Sequence, residues 1–299
     1  MDNRNLRVLV RGTYDIQKLR IQMGNRIVGN FKAKLGQVPG EAEEEIDEEG
    51  KEILACLRAS FKKITDGVKN FPKVKDFKGD EVISSYTELC LIAEYIALEA
   101  QEAEHFKRMG HILEEYPIYS TYLTNVKGIG PALAGVIISE IDITKARYPS
   151  SLWKYAGLDV VIADGLGRSR RTPHLEQKSY VDRDGNPATR QGITFNPFLK
   201  TKLIGVLGAS FLRVKDSPYA EIYRDYKHRL ESHPKWGTAM DGKFKTVDLR
   251  ATKGHRHQMA VRYMVKRFLV DLYCAWRPLE NLPVSPEYSE AKLGLVHSR

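Results

Sequence analysis

Apolar residues recur along most of this chain at helical spacing. Within residues 15–36, Ile16, Leu19, Met23, Ile27 and Phe31 share one stripe, while Arg20, Arg26, Lys32 and Lys34 lie mostly off it. That spacing predicts an amphipathic helix. Gly24 and Gly29 each weaken it by about 1 kcal/mol relative to Ala, unless they mark close packing. "GQVPG" at 36–40 ends the element. A second helix is expected over 41–65, with acids in its first turns, where the helix dipole favours them. "FPKVKDFKGD" at 71–80 reads as a basic connector. The longest helical pattern runs from 81 to 114, with Val82, Leu89, Ile92, Ile96 and Phe106 near one face. Its length suits one limb of a helical hairpin or coiled-coil arm, of a kind that often dimerises. A long core helix in a monomer is the other reading.

The second half is patterned differently. Residues 125–141, "NVKGIGPALAGVIISEI", put a Gly-Ile-Gly-Pro turn straight before an apolar helix. A short helix with Trp153 and Tyr155 follows, and Gly157 is placed to cap it. Residues 158–194 turn from a short β-like run to Gly-rich, Arg-rich and Asp-Gly-Asn turn signals, which predict a hairpin or long ordered loop. Helix returns over 196–215, with Asn196 as N-cap and Pro197 at the first helical position. Leu199, Leu203, Leu207 and Phe211 face inward there. Further helices are expected over 217–231 and 255–277, separated by a loop, and the proline-bearing tail from Pro278 is expected to be irregular. The chain thus reads as mainly α: N-terminal helices and an arm over 1–118, a helical domain with an inserted hairpin or loop over 119–278, and a tail over 279–299.

Charge adds a partner class. The net charge is +9, yet residues 41–52 alone carry −7, so the remainder carries +16. An excess of that size suits a polyanion, because each neutralised phosphate releases counterions; solubility alone is the plainer reading. Cys56, Cys90 and Cys274 lie far apart, without the spacing of a zinc site. They read as buried thiols in a reducing compartment. No apolar leader or 18-residue apolar run is present, so a cytoplasmic protein away from membranes is expected, with neither cofactor nor metal.

Several residues are candidates for anion contacts. Gly128 and Gly130 both tolerate positive φ and lack Cβ, so backbone can approach a phosphate closely. The amides that open the next helix point outward, and its dipole favours an anion. Lys127 adds charge beside Ile129 and the glycines. The alternative is a plain helix–helix turn. Arg168, Arg170 and Arg171 in "GRSRR" form the densest basic motif, and Arg forks suit phosphates and stack on bases. Lys200 and Lys202 on one helix, and Arg256, Arg262, Lys266 and Arg267 on the last, can face a sugar-phosphate backbone. Met259, Tyr263, Phe268 and Tyr273 read as core rather than as base-stacking platforms. His255 and His257 read as polar surface, and Glu140 and Asp142 as a solvated helix end.

The ordered blocks "VKGIGPALAGVIISEI", "RYPSSLWKYAGL", "NPFLKTKL", "SPYAEIYRDYKHR" and "HRHQMAVRYMVKRFLVDLYCAWR" resemble the C-terminal, Nop-like domain of the insertion-sequence-one-hundred-ten family of RNA-guided transposases. The chain is similar also to tandem-interspaced-guide-RNA-associated (Tas) proteins. The resemblance covers roughly residues 119–277. It implies a Nop-like helical domain, a guide or bridge-type RNA as partner, DNA as target and a homodimer through the arm. Such transposases carry an N-terminal RuvC-like nuclease, a domain of on the order of 100 residues, whereas about 14 residues precede the first predicted helix here. The family's nucleophilic serine aligns with Asp164 or Gly165, and Ser169 is displaced from it. A nucleophilic serine needs an activating base or metal, and none is visible. The expectation is therefore a nuclease-free binder of guide RNA. The alternatives are a diverged transposase that uses Ser169 beside a separate nuclease, and a structural dimer.

Overall fold

The computed structural model describes residues 3–37, 46–68, 70–159, 175–232 and 253–286. The chain divides into an N-terminal unit, Arg4–His111, and a C-terminal unit, Ile112–Arg299 with Met1–Asn3. Both are helical among the described residues, and the single sheet is a two-stranded antiparallel hairpin.

The N-terminal unit holds α1 (Arg4–Lys34), α2 (Glu48–Thr65) and most of α3 (Tyr86–Leu113). Its core gathers Ile27 and Val28 from α1, Leu54 and Leu57 from α2, Ile83, and Leu89, Ile92 and Tyr95 from α3. Helix α1 starts eleven residues before the predicted position. Within it the buried Thr13 hydroxyl donates to the Leu9 carbonyl at 2.8 Å and meets His105 at 3.3 Å. The predicted stripe is also rotated. Leu19 is exposed, while Arg20 and Gln17 turn inward to the buried Glu102, because a buried carboxylate must be paired and hydrogen-bonded. Gly24 marks close packing: a Cβ there would lie 2.6 Å from Ile46 and 3.1 Å from the Tyr95 ring. Helix α2 starts at Glu48 rather than 41, since Asp47 accepts from the Gly50 amide and caps it. Cys56 and Cys274 are exposed and Cys90 is half-buried, which corrects the expectation of buried thiols. Cys56 projects from the face of α2 opposite Leu54 and Leu57, and Cys274 shares the outer face of the last helix with Asp271.

The C-terminal unit runs through α4 (Pro117–Thr121), α5 (Pro131–Glu140), α6 (Pro149–Tyr155), the hairpin β1 (Leu175–Val181) and β2 (Pro187–Ile193), α7 (Pro197–Thr201), α8 (Gly208–Arg213), α9 (Pro218–Glu231) and α10 (Lys253–Leu279). The central element is α10, which buries Met264, Phe268, Leu269, Leu272 and Tyr273. Helices α7 and α8 are one continuous rod joined by a π-helical segment, Lys202–Leu207. Leu199, Leu203, Leu207 and Phe211 recur every four residues, and all are buried to within 1%. In an α-helix of 3.6 residues per turn such a stripe drifts about 40° per step. The looser i→i+5 winding takes up the drift and keeps all four on one side. Phe211 stacks on Tyr219 at 4.5 Å and meets Phe268 edge-on at 5.5 Å. The Tyr219 hydroxyl donates to Asp271 at 3.0 Å and lies 3.2 Å from that of Tyr122. The chain past α10 is held too, since the Arg277 guanidinium donates to Pro283 O and Ala146 O. No helix among the described residues is long and apolar enough to cross a membrane.

Truncation of Phe211 removes a fully buried ring with two aromatic neighbours. Phe211→Ala is expected to cost about 3–5 kcal/mol in urea denaturation. Burial pushes the Tyr122 phenol up to about 12 and raises Tyr219 as well. The folded chain then keeps protons that the unfolded chain releases above the ordinary tyrosine value of about 10. Stability falls as pH rises through that window. Tyr122→Phe is expected to flatten the decline of Tm between pH 10 and 12.

Candidate nucleic-acid interface

The Gly-Ile-Gly turn divides its two expected roles between its glycines. Gly128 has φ 98°, and a Cβ there would sit 3.1 Å from the Ser210 hydroxyl and 3.3 Å from Phe211 and Val214. The Ser210 hydroxyl donates to the Gly128 carbonyl at 2.7 Å. This glycine serves close packing against α8. Gly130 does not take positive φ: it is the N-cap of α5 at φ −98°, ψ 178°, ordinary extended backbone. A Cβ there would meet nothing within 4 Å. Pro131 follows at the first helical position, so the amides of Ala132 and Leu133 are the donors that the helix start leaves open. Lys127 is exposed and Ile129 half-buried. The open backbone thus lies at Gly130, beside Lys127.

A buried polar knot joins α5, α6 and α7. Glu140 is 2% exposed, and the Asn196 side-chain amide donates to its carboxylate at 2.6 Å and to the Tyr155 hydroxyl at 3.1 Å. This corrects the expectation of a solvated helix end at Glu140; Asp142 remains exposed, with Thr144 and Lys145 as partners. Asn196 also accepts from the Leu199 amide, as its N-cap assignment requires, and its own amide donates to Tyr155 O at 2.8 Å. Next to the knot, Gly157 (φ 63°) stands against the Phe195 ring, which a Cβ would meet at 2.6 Å. The chain therefore leaves after residue 157 and returns at 195 to nearly the same place, with the hairpin on this excursion. In the hairpin Lys178 opposes Arg190, and the Arg190 guanidinium lies 5.2 Å over the Tyr180 ring. Leu175, Val181 and Ile193 are exposed on its other face.

The predicted cations fall into separate surroundings. Lys200 and Lys202 are half-buried, their ammonium groups 4.3 Å from the Phe195 ring and 5.6 Å from the Phe198 ring. Burial lowers the Lys202 pKa. On α10, Arg262 is exposed, while Lys266 is half-buried with its ammonium 5.1 Å over the Trp153 ring. Burial lowers the Lys266 pKa, Asp159 opposes that effect and Arg262 adds to it. Asp159 and Arg262 thus both act on Lys266. Arg267 is half-buried. Arg256, expected at the border, is 2% exposed and so belongs to the interior; it lies one helical turn before the buried Ala260, on the inward face. Phe268 and Tyr273 are buried, as the core reading of these aromatics expects, whereas Tyr263 is half-buried and stacks on Tyr226 at 4.2 Å. His257 is half-buried and hydrogen-bonds the Tyr223 hydroxyl at 2.7 Å rather than standing at the surface. Arg168, Ser169, Arg170 and Arg171, with Asp164 and Gly165, lie outside the described residues. No three His, Cys, Asp or Glu among the described residues are grouped to hold a metal.

The sequence reading placed Trp153 in a helix without a role at the site, and named neither Asp159 nor Phe195. A lone aromatic or carboxylate has no periodic signal; Trp153 and Asp159 matter through Lys266, brought to them from a distant helix, and Phe195 through Lys200 on the helix that follows it. Charge is divided as well: residues 4–111 sum to zero, and residues 112–299 carry +10.

Gly128→Ala is expected to cost about 1–3 kcal/mol of stability, from backbone strain, and Gly130→Ala less than about 0.5 kcal/mol. Asn196→Ala removes both a cap and a partner of buried Glu140, and is expected to cost about 2–4 kcal/mol. Chemical denaturation of the three variants checks this order. No protein-family model, curated protein or solved structure matches the chain.

Proposed function

We propose that this chain is a nucleic-acid-binding protein whose C-terminal unit is a Nop-like domain of the kind found in RNA-guided transposases. It holds a guide-type RNA and directs it to DNA. The observation that carries the reading is the charge division: the whole positive excess falls in residues 112–299. Within that unit the exposed Lys127 and Arg262, with half-exposed Lys200 and Lys266, offer cations. Gly130 offers open backbone at the start of α5.

The physical scheme follows from those groups. Ammonium groups and helix-start amides read phosphate and backbone shape, not base sequence. Sequence is then delegated to base pairing by the RNA, so no array of base-reading side chains is needed. In this reading the 28-residue helix α3 supplies the arm of a homodimer, and the protein works in the cytoplasm.

The direct test is to purify the protein from its host and sequence the RNA that co-elutes; one defined structured species is expected, and bulk RNA alone would sink the guide reading. In a second measurement, Lys127→Ala/Lys200→Ala/Arg262→Ala is expected to weaken RNA binding and flatten the dependence of log Kd on log salt by about 0.7–0.9 per lost phosphate contact. A slope equal to that of the unchanged protein would remove these residues from the interface.

A further inference from the structure

The N-terminal unit, neutral as a whole, contains a hollow of about 750 Å³ under the connector between α2 and α3. Its lining includes Phe71 and Phe77, the ammonium-bearing Lys63, Lys73 and Lys78, and the carboxylates Asp76 and Asp80. The hollow is built rather than incidental. The Tyr86 hydroxyl donates to the Pro72 carbonyl at 2.9 Å, and the Phe71 and Phe77 rings meet the Tyr86 ring at 6.1 and 5.8 Å, both edge-on. Asp80 accepts from the amides of Val82 at 2.9 Å and Ile83 at 2.7 Å and from the Ser60 hydroxyl. Burial alone would raise the Asp80 carboxyl, but the Ser60 hydroxyl, those amides and Lys63 outweigh it and hold it below the usual carboxylate range. This carboxylate is thus occupied in holding the loop, while Lys73 and Lys78 are exposed.

The chemistry of the lining selects a ligand that is both flat and anionic. Phe71 is 44% exposed although it is a large aromatic in a fixed loop, and a phenyl ring of this kind stacks on any base. Lysines are compact point charges suited to phosphate. A bilayer surface would favour a convex apolar tip, whereas these rings and ammonium groups line a concavity. We propose that the hollow seats one unit of a single-stranded nucleic acid, with its base against the exposed part of Phe71 and its phosphate among Lys63, Lys73 and Lys78. The inference rests on the reading of the chain as a nucleic-acid binder, and it adds a contact on the unit that whole-chain charge would pass over.

The test uses the full chain and an oligouridine carrying 4-thiouridine, crosslinked by ultraviolet light and mapped by peptide mass spectrometry. A crosslink within residues 63–80 is expected. Phe71→Ala should abolish it and weaken oligouridine binding about five- to tenfold, with the helical circular dichroism unchanged. If Phe71→Ala loses helix content, Lys73→Ala/Lys78→Ala serves instead, and the same weakening is expected. Crosslinks confined to residues 112–299, with both variants binding normally, would overturn this inference and leave the proposed function standing. Crosslinks confined to 63–80 would keep this site and remove the C-terminal interface, and no crosslink at all would remove both. Phe71-dependent binding to phosphatidylserine vesicles, without any oligouridine crosslink, would also overturn it.

Discussion

A buried carboxylate sets the arrangement of the C-terminal unit. Glu140 ends the apolar helix α5 with its side chain sealed from water, and a buried carboxyl group is tolerated only when hydrogen bonds replace its hydration. Asn196 supplies one of them, and in doing so it fixes much else. The same side chain caps α7 and reaches the Tyr155 hydroxyl, and its backbone amide binds Tyr155 O. One residue thereby sets where α5 stops, where α7 starts and where α6 lies between them. The excursion that carries the hairpin departs and returns beside this knot. A longer excursion changes little, because loop-closure cost grows only slowly with length.

The rod of α7 and α8 shows how packing overrides regular winding. A stripe of apolar residues every four positions does not match the α-helical period, and the backbone accommodates it with a π segment instead of leaving one member exposed. The outcome places Ser210 and Phe211 against the Gly128 turn. A rigid turn leaves Gly130 and the first amides of α5 oriented without further reorganisation, which is the preorganisation an anion site needs. The cations on α10 owe their surroundings to the same core. Trp153 docks its indole N–H on the Lys266 carbonyl at 3.2 Å while its ring lies under the Lys266 ammonium, so a core contact and a candidate contact share one side chain.

The two units place charge and aromatic surface differently. In the C-terminal unit Phe268 and Tyr273, named as possible stacking platforms, are in the core, while Lys127 and Arg262 are exposed. In the N-terminal unit net charge is absent, yet a local run of lysines meets the exposed Phe71 ring and the half-buried Phe77 ring around one hollow. Whole-unit charge governs long-range attraction, whereas a seat for a base depends on a few rings and ammonium groups at short range. In the proposed reading, one surface attracts a sugar-phosphate chain and the other retains a single unit of it.

Most helices were legible from residues alone, because periodicity and caps act within a few positions. Asn196-Pro197 predicted the start of α7, Gly157 the end of α6, and Asp-Gly-Asn the hairpin turn. Where the reading slipped, a distant partner was the cause. Arg20 and Gln17 turn inward for Glu102, Arg256 is drawn into the interior, Glu140 is buried under Asn196, and Gly130 needs no positive φ because the bend is made at Gly128. The same holds for the hollow around Phe71: the lysines and phenylalanines of the connector are visible in order, but their closure into a cavity requires Tyr86 and Asp80 to pin the loop from α3 and its approach. Local order thus follows from side-chain period and backbone preference over a turn or two, while the protonation, burial and grouping of the charged residues follow from contacts across tens of positions, which no short window of sequence contains.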